Sequence, residues 1–371
     1  MSDADNEDYK SDGRDSISSM SDTFTNIEDD DSSLYFSLFN KNKPTMKEII
    51  EKCVSRKEMS VTIEGDHIKE IPPEFAEFDW IEDLTLDSTE ITAFSVYPKK
   101  LKSLTIKHNK IELFDASMVP ETVVVFRYNY NETKEIIGLR EGITILDMSN
   151  NNFILIKCKI PSTVMQCDLS GNKLLRKIPE LHNGENLKTL ILNDTMVNCI
   201  DDIPDSVEVL DTCRCNINTV KKLPKYLNAW KSYNASIETI ECEFPSGLEM
   251  LDLYGNSLVS CPDLPESIKD VDLNNNDLLS IPKFPQSILK IDLKSNCNLE
   301  IGELIKLDAS YPNSKILYSG ASLSRGSTYM SHMWSTPHDF LFQPTELPSI
   351  SDSDYSNMNP HYIPLNKTYS V

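Results

Sequence analysis

Between residues 60 and 299 the chain repeats one short pattern of apolar and polar positions, L-x-x-L-x-L-x-x-N-x-L. The pattern is clearest in LKSLTIKHNKI (101–111), ITILDMSNNNF (143–153), VMQCDLSGNKL (164–174), LEMLDLYGNSL (248–258) and IKDVDLNNNDL (268–278). Weaker copies fill the spaces: IEDLTLDSTEI (81–91), VVVFRYNYNET (123–133), LKTLILNDTMV (187–197), VEVLDTCRCNI (207–217) and LNAWKSYNASI (227–237). SVTIEGDHI (60–68) and ILKIDLKSNCNL (288–299) stand at the ends. The third inward position of each copy falls at 63, 86, 106, 128, 148, 169, 192, 212, 232, 253, 273 and 293, so twelve copies follow at a period of 20–23 residues. A recurrence that tight sets the architecture before any single residue is weighed.

Within each copy the x-L-x-L-x segment alternates with the two-residue period of a strand, apolar side chains inward and the x residues outward. The Asn falls where the chain turns, and its amide can both donate to and accept from backbone groups inside the coil. Seven copies carry it, at Asn109, Asn131, Asn151, Asn172, Asn256, Asn276 and Asn296; the others have Asp66, Thr89, Thr195, Cys215 and Ala235. Cys215 thus reads as a ladder substitute. As half of a metal-binding pair with Cys213 it lacks a second His or Cys pair to complete four ligands. A proline stands three residues before the first apolar strand residue in eight copies, at Pro98, Pro120, Pro161, Pro204, Pro224, Pro245, Pro265 and Pro285. Prolines this frequent in so short a return segment exclude an α-helix there and predict extended, polyproline-like backbone.

This core resembles that of the leucine-rich-repeat family over residues 60–299. The predicted fold is an α/β-type but mostly β solenoid, a curved right-handed coil of about twelve turns of 20–23 residues with parallel strands on its concave side. The added P-x-x-L and I-P marks look like the short repeats of secreted effectors from enteric bacterial pathogens. Such effectors often carry a large C-terminal ubiquitin-ligase domain, which is not expected in the residues from 300 to 371. The Asn-, Ile-, Lys- and Asp-rich style is also similar to repeat proteins of amoebae and their giant DNA viruses.

Outside the repeats, Thr45-Met46-Lys47-Glu48 predicts a capping box opening a helix through about residue 57, with Ile49, Ile50, Cys53 and Val54 on one face. Such a helix would shield the apolar end of the first turn. The organisation reads as an acidic tail at 1–44, a capping helix at 45–58, the repeats at 59–300, a C-terminal cap at 301–319 and a second tail at 320–371. Both tails are rich in Ser, Asp, Asn and Pro and are expected to be disordered.

Charge narrows the partners. The net charge is −22, of which residues 1–45 carry −7 and the residues from 303 onward −2, leaving −13 on the part between. Such a body should repel nucleic acid and anionic membranes, and no local basic patch offsets it. No run of about 18 apolar residues marks a membrane span. The N-terminus, MSDADNEDYKSDGRDS, lacks the basic start and apolar stretch of a secretory signal. Nine cysteines without repeated paired spacing fit reduced thiols. The expectation is a monomer in the cytoplasm, a host cytoplasm if the source is a virus or an effector.

Chemistry is harder to find. The chain has no G-x-x-x-x-G-K-[ST], H-E-x-x-H, G-x-S-x-G or C-x-x-C motif, and its six histidines, at 67, 108, 182, 332, 338 and 361, stand at no ligand spacing. No catalytic residue, metal, cofactor or small-molecule substrate is expected. Asp147, Asp168, Asp211, Asp252, Asp272 and Asp292 each follow the second apolar strand residue and should stack into an outward stripe. They read as solvated aspartates, with a docking strip for a basic partner as the other reading; a single file of carboxylates supplies poorly the six or more oxygens Ca²⁺ needs. The protein-binding candidates are Val125, Arg127, Ile145, Ile191, Val209, Tyr233, Met250 and Tyr254, outward residues of the middle turns. Against that stands their ordinary fitness as small or aromatic β-formers. The function these features predict is a non-catalytic protein–protein interaction module or scaffold. The alternatives are a substrate-recognition subunit acting with a separate ubiquitin ligase or phosphatase, or a structural protein of a particle. Ser16, Ser18, Ser19, Ser21, Ser349, Ser351 and Ser353 lie among acids and are candidate phosphorylation sites that would deepen the negative charge.

Overall fold

The computed structural model describes residues 45–91, 96–181 and 186–318. The expected tails, their serines and His182, His332, His338 and His361 lie outside the described residues. Each repeat returns the chain to the same direction one period later, so successive strands run parallel. Thirteen join in one sheet: Ser60–Glu64, Asp83–Asp87, Ser103–Lys107, Val125–Asn129, Ile145–Asp147, Gln166–Asp168, Thr189–Ile191, Val209–Asp211, Ala229–Lys231, Met250–Asp252, Asp270–Asp272, Lys290–Asp292 and Lys315–Leu317. The register sets identical repeat positions side by side, as in Leu84, Leu104, Phe126, Leu146, Cys167 and Leu190. These inward residues are buried in one core running from Ile49 to Leu304. Twelve strands match the twelve copies. The thirteenth, Lys315–Leu317, lies in the segment expected only to cap the end.

The returning side is mostly irregular, with two short parallel pairs, Leu113–Asp115 with Glu135–Ile137 and Thr219–Val220 with Thr239–Ile240. All eight marker prolines act alike. Each accepts, through its carbonyl oxygen, the N–H three residues on, at 3.0–3.3 Å, from Leu101 onto Pro98 to Ile288 onto Pro285. The proline therefore opens a tight turn into the next strand, where extended backbone was expected. Short 3₁₀ turns, Pro73–Glu77 and Ala116–Met118, replace it in two places.

The asparagine ladder is present, and its side chains are buried. Asn256 shows the full pattern: Nδ2 donates to Ser232 O one turn back (2.8 Å) and Leu253 O (3.0 Å), while Oδ1 accepts from Ala235 N (3.0 Å) and Ile237 N (2.9 Å). Cys215 takes the place as predicted, its Sγ donating to Leu192 O one turn back at 3.2 Å. Asp66 does not; its side chain is exposed beside His67, so the first turn has no rung.

From Thr89 onward the residue preceding each ladder position is left-handed: Ser88, His108, Tyr130, Asn150, Gly171, Asp194, Arg214, Asn234, Gly255, Asn275 and Ser295 all have φ between 51° and 69°. At Gly255 a Cβ would lie 2.0 Å from Asn234 Oδ1, so the asparagine of one turn lies over the bare backbone of the next.

Helix α1 (Met46–Arg56) starts at the predicted capping box: Thr45 Oγ1 accepts from Glu48 N (3.3 Å) and Glu48 Oε2 accepts from Thr45 N (2.7 Å). Ile49 and Cys53 are buried against the first turn, but Val54, expected on the same face, is 50% exposed. The face is a narrow i, i+4 stripe because the helix covers only the rim of the coil. At the other end, helix α2 (Ile301–Ser310) buries Leu304, and Tyr311 closes it with an O–H donated to Phe284 O at 2.6 Å.

Candidate functional site

Outward positions of the sheet form straight columns, because every strand repeats the same register. Val125, Ile145, Gln166, Thr189, Val209, Ala229 and Met250 make one. Two residues further along each strand run Arg127, Asp147, Asp168, Ile191, Asp211, Lys231, Asp252, Asp272 and Asp292. Tyr233 and Tyr254 extend the outward alternation past the ends of their strands.

The candidate residues are thus brought to one wall but in separate columns: Val125, Ile145, Val209 and Met250 in the first, Arg127 and Ile191 in the second, Tyr233 and Tyr254 beyond. They are not an evenly exposed strip. Ile145 and Ile191 are only 2% and 6% exposed, while Tyr254 is 37% exposed. Parallel strands ~4.8 Å apart let outward side chains shade one another. Arg127 is half-buried between Asp83 and Asp147. Burial pulls its guanidinium below its usual range, the two carboxylates oppose that, and its Nε bonds to nothing in the fold.

The aspartate stripe departs from the expectation of solvated side chains. Asp147, Asp211 and Asp292 are buried and the other three half-buried. In all six, Oδ1 accepts the N–H two residues on, at 2.8–3.1 Å, which bends the chain out of its strand. Asp147 Oδ2 also accepts from Asn129 Nδ2, and Asp292 Oδ2 pairs with Lys294 Nζ at 3.0 Å. Burial pushes Asp168 up to about 7, with the charge of Asp147 adding to it. Asp272 is likewise pushed up to about 7 by burial, with Asp252 and Asp292 adding and the Asn274 N–H opposing.

Two features escaped the sequence reading. Asp194 and Arg214 occupy the same place in successive turns; Arg214 Nε donates to Asp194 Oδ1 at 2.6 Å and the guanidinium lies 5.1 Å from the Tyr233 ring centre. Their opposite charges one period apart were the available signal. The other is Lys231, in register between Asp211 and Asp252 and only 6% exposed. Among the described residues, no three His, Cys, Asp or Glu side chains are grouped to hold a metal ion, and no helix is long and apolar enough to cross a membrane.

No protein-family model matches the chain, and no curated protein matches it in sequence. Its backbone does match solved structures. The leucine-rich repeat domain of APL1B is similar at a TM-score of 0.54 and 13% identity, over 81% of this chain and 94% of that one. The chain folds as a leucine-rich-repeat solenoid. Toll of Drosophila, in a complex with Spatzle, is similar at 0.50 and 17% identity, over 63% of this chain; the leucine-rich-repeat chain here spans 37% of Toll's length. YopM, a leucine-rich effector of Yersinia pestis, is similar at 0.47 and 16% identity, over 78% of this chain and 99% of that one.

Proposed function

We propose that this leucine-rich-repeat solenoid is a non-catalytic protein-binding module, and that its concave sheet face is the binding surface. The observation that carries the reading is the unbroken thirteen-stranded sheet, which holds Val125, Arg127, Ile145, Ile191, Val209, Tyr233, Met250 and Tyr254 on one rigid wall. A wall fixed by in-register strands keeps low the ordering cost of binding, and Arg, Tyr and Met are residues that dominate interface energetics. The complex of Toll with Spatzle supports the reading as a precedent on the same fold. We place the protein in the cytoplasm, a reading supported by nine cysteines that all stand as free thiols.

The test is affinity capture with the full chain, in parallel with Met250→Glu/Tyr254→Ala. Both positions retain outward exposure, so the variant should fold, which circular dichroism checks. Proteins recovered by the native chain and lost by the variant are the expected result. A variant that recovers the same set at the same yield removes the concave wall from the function.

A further inference from the structure

Along the concave wall, four carboxylates share one column, and two of them, Asp252 and Asp272, have no side-chain hydrogen-bond partner. In Asp168, Asp211, Asp252 and Asp272 the fold uses Oδ1 to cap the turn; Asp168 is also bonded by the Ser170 side chain and Asp211 by the Cys213 thiol, whereas Asp252 and Asp272 take no side-chain hydrogen bond. Amid them stands Lys231. It is 94% buried by its surroundings, as its 6% exposure requires, yet its ammonium makes no hydrogen bond or ion pair; its one electrostatic partner is the charge of Asp252. A lysine held this closely whose ammonium bonds to nothing in the protein can take an acceptor from a partner without breaking an existing bond. The fold has therefore set, in one column, two carboxylates without a side-chain partner, two more beside them, and one unused donor.

We propose that this column is the seat of an extended, basic peptide segment of a partner protein, whose Lys or Arg side chains pair with Asp252 and Asp272, with Asp168 and Asp211 adding to the negative field, and whose backbone carbonyl accepts from Lys231. The proposal rests on the concave-wall reading and names the class of partner. Charge excludes other occupants: the wall repels nucleic acid, and the chain's own residues 1–45 carry −7. A polyamine supplies cations but no acceptor for Lys231, whereas a peptide backbone supplies one. The span fits too. Five strand intervals of ~4.8 Å separate Asp168 from Asp272, about 24 Å, which an extended peptide covers in about seven residues.

Binding of such a segment is coupled to protons. Asp168 and Asp272 are held partly protonated near neutrality, by burial first and by Asp147, Asp211, Asp252 and Asp292 second. Facing cations are few: Lys231 and Lys290 act on Asp252, and Lys290, paired with Asp270 at 3.3 Å, acts on Asp272. Arg127 lies two strands from Asp168, beyond Asp147. A cationic side chain arriving at the column favours the ionised form, so affinity rises with pH from 6 to 8.

The experiment is calorimetric titration of the full chain with three probes: the capped octapeptide (Arg-Gly)₄, spermine and (Glu-Gly)₄. The octapeptide should bind, tighter at pH 8 than at pH 6, and (Glu-Gly)₄ should not. Asp252→Asn/Asp272→Asn keeps the turn-capping acceptors and should weaken the octapeptide tenfold or more. The charge-matched control Glu238→Gln/Glu241→Gln, changed at exposed sites off the concave wall, should shift it less than twofold. Lys231→Met should weaken the octapeptide while leaving spermine unchanged. Equal affinity in the Asn pair and the Gln pair overturns the proposal, as does no octapeptide binding, or a Lys231→Met chain that treats both probes alike. If Met250→Glu/Tyr254→Ala abolishes capture of the natural partner while the Asn pair does not, the concave-wall reading stands and the basic-peptide assignment fails.

Discussion

The turns on either side of the solenoid and the turns at its centre solve one problem differently. In the flanks, asparagines join neighbouring turns, each amide donating to carbonyls of its own turn and the one before. At the centre the ladder reads Thr195, Cys215, Ala235, and the third inward strand position reads Thr212 and Ser232 where the other turns have Leu, Ile, Met or Tyr. Trp230 explains the second change. It occupies a position held elsewhere by Leu, Val, Ile, Phe or Cys, is fully buried, and donates from Nε1 to Thr212 Oγ1 at 3.1 Å. Thr212 donates in turn to Ser232 Oγ at 2.8 Å. Small hydroxyl residues make room for the indole and satisfy its N–H, so polar bonding at the centre is added on the strands while the ladder keeps weaker bonds through Thr195 and Cys215. A repeat protein can therefore replace a periodic solution by a local one, at the cost of dependence on a single large side chain.

Truncating that side chain is the severest way to break the contrast. Trp230→Ala opens a cavity and leaves Thr212 without its indole donor, an expected loss of about 3–5 kcal/mol in urea denaturation. Leu251→Ala, the same inward position in an Asn-bearing turn, should cost about 2–4 kcal/mol. A smaller loss at Trp230 than at Leu251 would mean the centre is loosely packed and the comparison is wrong.

The rungs sharpen it next. Asn276→Ala removes donations to Leu253 O and Leu273 O and strips Leu258 N of its acceptor. With those groups buried, the expected loss is about 2–3 kcal/mol. Cys215→Ala removes only weak thiol bonds, to Leu192 O and with Thr195 Oγ1, and should cost about 1 kcal/mol. Equal losses in paired melts would show that the centre leans on its ladder as much as the flanks do.

What could be read from the sequence follows the same division. Period, inward strand residues, ladder asparagines and capping box were legible because each depends on residue type at a fixed spacing. The left-handed residue before each rung was not, since His108, Tyr130 and Arg214 share that conformation with Gly171 and Gly255. There the turn is imposed by the hydrogen bonds around it, and residue identity carries little signal. The strand Lys315–Leu317 was missed because no asparagine follows it. The candidate wall was legible as a set of outward residues, but the burial of Ile145 and Ile191 depends on curvature and neighbours one period away. The aspartates were seen as a stripe; that each caps its own turn depends on a side-chain rotation the pattern does not encode.

Gly255 gives a smaller effect with a clear geometric cause. Gly255→Ala places a methyl group against Asn234 Oδ1 and adds a side chain at φ 68°, an expected loss of about 1–2 kcal/mol. Coupling it with Asn234→Ala should recover part of that loss, because the obstructing oxygen is then gone. No recovery in the double variant would assign the whole cost to backbone strain.

The smallest effect concerns the aspartate column and has a definite sign. Asp272 is pushed up to about 7 in the folded chain, against an ordinary value of 3.8. Between those values the folded state holds more protons than the unfolded state, so this group's contribution to stability is full below about pH 4 and is lost as pH rises through 7. Asp272→Asn keeps the acceptor for Asn274 N and removes the ionisation. It should therefore stabilise the solenoid at pH 7.5 by about 1 kcal/mol, a figure reduced for solvent screening, and leave it unchanged at pH 4. Asn276, the nearest rung, bonds inside the coil and offers no titrating group, so Asn276→Ala should cost the same at both pH values. Urea titrations of the two variants at pH 4 and 7.5 separate the ladder from the column: one difference is flat with pH, the other grows. A pH-independent Asp272→Asn effect would place that carboxylate in water and return the column to the solvated stripe its spacing first suggested.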